Sequence, residues 1–148
     1  MVIWLISLFS FSLDFSTPAP PYTVAQLRSW HETLNPWPWP YQPAQEVNLR
    51  DSGAPQLLLC FLGGARNGSY ALFASGEDGW SLIGEIDQAH HPIKRLAHTV
   101  AGWHDFQTLI PLWGSGGHEV LVIHYRWNGD SYQEIERSEG VWSDYLSV

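Results

Sequence analysis

"HEVLVIHYRWNGDSYQEIE" (residues 118–136) is the stretch whose reading decides the fold. Its first ten residues are rich in β-branched and aromatic side chains alternating with polar ones, the pattern of a half-buried strand. Asn128, Gly129 and Asp130 then supply residues that tolerate a tight reversal, and "SYQEIE" resumes the strand pattern. The stretch predicts two antiparallel strands, 118–127 and 131–136, joined by a hairpin turn.

The same grammar continues upstream. "GSGG" (114–117) separates the hairpin from "HDFQTLIPLW" (104–113), and before that come "IKRLAHTV" (93–100), "WSLIGEI" (80–86), "SYALFA" (69–74) and "QLLLCFL" (56–62). "GGARNG" turns "QLLLCFL" into "SYALFA" and "SGEDG" turns "SYALFA" into "WSLIGEI", whereas His90 and His91 read as part of a looser loop before Pro92. "QLLLCFL" is apolar on both sides and predicts a central strand covered on two faces. The lone Cys60 excludes an internal disulfide and a multi-cysteine metal knuckle, and its leucine neighbours place it in the core as a small apolar residue. Seven strands with short links predict a mainly β domain over residues 45–148, built as an antiparallel meander sheet, a small sandwich or a barrel.

Ahead of that domain, "TVAQLRSWHETL" sets Leu27, Trp30 and Leu34 at helical spacing behind a Thr23/Gln26 capping box, which predicts one short helix over 24–34. Pro36 ends it. "NPWPWPYQPA" follows as a proline-stiffened strap, so residues 21–44 read as helix plus strap, with Trp37 and Trp39 expected to pack on the domain. Residues 1–20 open with about twelve apolar or hydroxyl side chains, the length of a signal-peptide core and short of a membrane span of about twenty residues. No Lys or Arg precedes Arg28, which departs from the usual positive leader. The expectation is a secreted or periplasmic protein with no stable membrane span once the leader is removed; the alternative is anchoring by an uncleaved N-terminal segment.

A chain of 148 residues suits one such domain, and its formal charge of −8 repels phosphate backbones, so nucleic acid is not an expected partner. In outline, "GWHDF" (102–106), the "GSGG" turn and "YRWNGDSY" (125–132) resemble small exported bacterial β-rich proteins of uncharacterised function. The outline is also similar to one blade of an FG-GAP-type propeller. That likeness would imply a calcium loop with Asp or Asn at alternating positions, and the turns here lack the spacing. The resemblance therefore implies an exported β fold and transfers no active-site residue.

Several residue groups invite chemistry. Ser115 stands in a glycine-rich turn like that of serine proteases, but Gly114 and Trp113 precede it, and His104 followed directly by Asp105 puts the two side chains on opposite faces of a strand. His118 and His124 lie six apart on one predicted strand face, where His98 or His104 of a neighbouring strand would be needed as a third metal ligand. Asp87, Glu85, Glu77 and Asp78 on one side, and Glu134, Glu136 and Glu139 on the other, sit near hairpin ends and read as solvated charge. Tryptophans at strand ends, Trp103, Trp113 and Trp127 among them, are placed to cap a small core or to form a stacking platform. The reading is a noncatalytic binding or interaction protein of the cell envelope or extracellular space. Its candidate binding residues are Trp103, His104, Trp113, His118, His124 and Trp127, its ligand a protein, peptide or carbohydrate, with no catalytic residue, metal or cofactor called. The alternative is a small hydrolase or metal-dependent enzyme using His104, Asp105, Ser115 and His118.

Overall fold

Residues 21–34, 44–63, 68–112, 114, 116 and 118–145 are described by the computed structural model. The leader, the strap with Trp37 and Trp39, Trp113 and Ser115 lie outside the described residues. The helix forms where its signals stand, as α1 (Val24–Leu34). Its capping box is closed in both directions, with the Thr23 N–H donating to Gln26 Oε1 at 2.8 Å and the Gln26 N–H to Thr23 Oγ1 at 3.1 Å.

Eight strands follow: β1 (Gln45–Val47), β2 (Gln56–Gly63), β3 (Gly68–Gly76), β4 (Gly79–Ala89), β5 (His91–Val100), β6 (Trp103–Leu112), β7 (Glu119–Trp127) and β8 (Tyr132–Val141). They form two four-stranded antiparallel sheets, ordered β1-β2-β3-β4 and β5-β6-β7-β8, so the meander folds into a sandwich and does not close into a barrel. Three particulars depart from the sequence reading. β1 is too short to show a period. His91 opens β5 instead of lying in a loop, and β8 runs to Val141 because its pairing with β7, past one shift between His124 and Tyr125, continues to the Glu119–Val141 pair.

Between the sheets lies the principal core. Leu58, Cys60, Tyr70, Leu72 and Ile86 from one sheet meet Phe106, Ile123, Tyr125 and Tyr132 from the other. Strand alternation explains this directly: Leu58 and Cys60 point inward, while Leu59 between them points to the helix side. Phe106 is stacked on Tyr125 at 4.9 Å and meets Tyr132 edge-on at 4.8 Å. The Tyr132 hydroxyl donates to the His104 carbonyl at 2.7 Å, so this buried ring satisfies its polar tip.

Each outer face has its own cover. On the first sheet, Tyr22, Leu27 and Trp30 pack over Leu59, Ala71 and Phe73. Tyr22 is fastened there by two backbone hydrogen bonds with Trp80, at 2.8 and 2.7 Å. The close approach needs Gly79, whose φ of +130° suits glycine and where an added Cβ would stand 2.6 Å from the Tyr22 carbonyl oxygen. Gly79→Ala should therefore cost about 2 kcal/mol, read as a lower urea midpoint; an unchanged midpoint would mean that the Tyr22 bridge contributes nothing. On the second sheet, Leu109, Val120 and Val122 are covered by Trp142 and Tyr145 of the C-terminal turn. No helix among the described residues is long and apolar enough to cross a membrane.

Candidate functional site

Strand alternation at the start of β6 sends His104 and Asp105 to different partners, as neighbours in a strand must go. His104 Nδ1 lies 2.6 Å from the Leu96 carbonyl and its Nε2 2.8 Å from Asp51 Oδ1, so both ring nitrogens face acceptors. The Leu96 bond first, and the Asp51 bond with it, hold the imidazole above its ordinary pKa, while the same His104 contact lowers that of Asp51. Its backbone N–H donates to the Leu49 carbonyl at 2.8 Å. This histidine fastens the 49–51 loop to β5 and β6.

Asp105 lies at the centre of a different group. Its side chain is 0% exposed, yet the side chains around it reach water: His98 is 55% exposed and Arg126 38%. Arg126 donates to Asp105 Oδ2 from Nη2 at 2.8 Å and from Nε at 3.0 Å, His124 Nε2 stands 2.7 Å from the same oxygen, and His98 Nδ1 stands 3.3 Å away. Burial works to raise the carboxyl pKa, and the bonds from Arg126, His124 and His98 outweigh it, leaving Asp105 below its ordinary value. On its far side His124 Nδ1 is 4.0 Å from Glu136. His98 Nε2 and Arg126 Nη1 have no partner among the described residues. With Nδ1–H turned to Asp105, Nε2 of a neutral His98 ring is an acceptor, so the pair presents one oriented donor, on Arg126, and one oriented acceptor, on His98.

The described candidate tryptophans, Trp103 and Trp127, sit at the same end of the second sheet. Trp103 and Trp127, both partly buried, stack at 4.3 Å with 16° between their planes, and Tyr132 meets each edge-on. The Arg50 guanidinium lies 5.0 Å from the Trp103 ring centre. Much of the Trp103 ring is thus engaged by Trp127 and Arg50. His118 is exposed and precedes β7 at the other end, roughly 20 Å from His124 by strand rise, so the six-residue spacing does not unite them in one site. Among the described members of the alternative set, His104, Asp105 and His118 share no cleft. No group of three or more His, Cys, Asp or Glu side chains among the described residues is placed to hold a metal ion.

The sequence reading passed over Arg126 and used His98 only as a conceivable third imidazole. The signal was a register: Phe106 pairs with Tyr125, so Asp105 stands one step beyond, opposite Arg126. The acids read as solvated charge are exposed, and sheet packing brings two of them to one groove. Glu85 of β4 and Glu134 of β8 line one groove of about 500 Å³ along the seam between these edge strands, to which Tyr132 also contributes. Glu134 is paired with Arg137 at 2.9 Å. Glu85 stays exposed on one side, yet neighbouring groove atoms and the Asp87 charge push its pKa up to about 7 from 4.5. The folded state therefore holds this proton more tightly than the unfolded chain, and the stability it contributes is present below pH 4.5 and lost as pH rises to about 7. Glu85→Gln should flatten the stability profile across that window, checked by urea midpoints at successive pH values; a parallel profile would refute the assignment. Comparison with known proteins finds no family model, curated protein or solved structure that matches this chain.

Proposed function

We propose that this is a noncatalytic binding protein of the cell envelope or extracellular space, and that it recognises its ligand on the outer face of the β5–β8 sheet. One observation carries the reading: the enclosed Asp105 carboxylate holds Arg126, His124 and His98 in place, and two of these keep a polar atom directed away from it, a donor on Arg126 and an acceptor on His98. Polar groups fixed by a buried partner lose little freedom when they bind, and a donor beside an acceptor suits ligands that offer both, such as the hydroxyls of a carbohydrate or the amides of a peptide. A general base working near neutrality needs a raised pKa, and Asp105 is held the other way, which supports binding over catalysis. The leader-like opening of the chain supports the compartment.

Glycan and peptide arrays probed with the purified protein test this. A ligand found there should bind about tenfold more weakly to His98→Ala and to Arg126→Ala, with His98→Ala keeping the parent melting temperature. A ligand indifferent to both substitutions would overturn the reading, and cleavage of the ligand would favour the hydrolase alternative.

A further inference from the structure

Along the opposite seam of the sandwich, where edge strand β1 approaches edge strand β5, runs a groove of about 520 Å³. It is separate from the Asp105 face and no part of the proposed function rests on it. We infer that this groove is a second ligand site, built for a small organic carboxylate with an apolar body.

Tyr70 is the first reason. Its ring belongs to the inter-sheet core and the residue is only 6% exposed, yet it lines the groove. Among the described residues its hydroxyl has no hydrogen-bond partner, and it is not one of the fully enclosed polar atoms, so the hydroxyl end is the part that meets the groove. A hydroxyl carried into the groove by a ring fixed in the core is a donor already positioned for an acceptor that enters there. Burial pushes its pKa up to about 12, so it keeps the proton it would donate at any physiological pH.

Arg95 is the second. Its Nη1 donates to the Asn48 carbonyl at 3.2 Å and lies 3.8 Å from Asp51, which fixes the guanidinium beside the groove. Nε and Nη2 have no partner among the described residues, leaving one edge of the fork for a carboxylate. Val47, Pro92 and Ile93 supply apolar walls. His91 is held below the ordinary imidazole pKa by burial and by neighbouring His90, so it adds a polar wall without adding charge. One fixed cation, one buried donor and apolar walls match a single carboxylate carried on an apolar body, and the groove lies in the volume range of small-molecule sites.

Three probes test the inference on the full chain: sodium benzoate, sodium phenylacetate and sodium hexanoate, each titrated into ¹⁵N-labelled protein, with benzamide as the neutral control. At least one carboxylate should produce saturable shifts at Val47, Asn48, Ile93 and Arg95 that benzamide does not. Tyr70→Phe, which keeps the ring in the core, should weaken that binding about tenfold, as should Arg95→Gln. The inference falls if none of the three saturates at tens of millimolar, or if Tyr70→Phe leaves the affinity unchanged. It also falls if the shifts centre on His98, His124 and Arg126, an outcome that would leave the proposed binding face standing.

Discussion

Asp105→Ala is expected to destabilise the protein by about 2 kcal/mol at neutral pH and to release the three side chains it orients. Removing one member of a fully buried ion pair costs about 3–5 kcal/mol, because the partner is stranded without water. Here the carboxylate is enclosed but Arg126 and His98 reach solvent, so hydration recovers part of the loss. The effect carries a pH signature. The folded-state pKa of Asp105 lies below its ordinary 3.8, so its contribution is complete above that value and is lost as pH falls through the folded one. The difference between parent and variant in urea unfolding should accordingly narrow in acid. Combining Asp105→Ala with Arg126→Ala should cost less than the sum of the two single changes. Simple additivity, or a gap that persists unchanged in acid, would show that the bonds to Asp105 are not coupled to folding.

Phe106→Ala is expected to be the most damaging single change, at about 4 kcal/mol. The ring is 0% exposed and packed between Tyr125 and Tyr132, so truncation deletes apolar contact area and leaves a cavity that two stiff aromatic neighbours cannot fill. In a domain of this size that corresponds to a fall in melting temperature of about 12 °C. Phe106→Leu, which restores most of the volume, should cost no more than about 1.5 kcal/mol. A loss below about 1 kcal/mol for the alanine variant would mean that the inter-sheet core repacks freely around this position. Phe106 is also the inward neighbour of Asp105 on β6, so the ring that anchors the strand holds the binding face opposite it.

How much of the site was legible depends on the distance over which each contact acts. His104 and Asp105 take opposite faces, as the sequence predicts, because adjacent strand residues diverge. The partner of His104 is Asp51, 53 residues earlier, and nothing local in either segment names the other. The Asp105–Arg126 pair needed the β6–β7 register, and the "GSGG" connection does not set that register as a two-residue turn would. Glu85 and Glu134 read as separate hairpin-end charges until the two sheets brought their edges together.

By itself the sequence determined the β class, the capped helix, the core position of Cys60 and the opposite faces taken by His104 and Asp105. These follow from local periodicity and turn chemistry, which act over a few residues. Only the tertiary structure decided that the strands divide four and four, that Asp105 gathers His98, His124 and Arg126, and that Tyr70 and Arg95 open on one groove. Such pairings are set by register and by sheet packing across tens of residues. Periodicity assigns a side chain to a face but does not select what will stand opposite it.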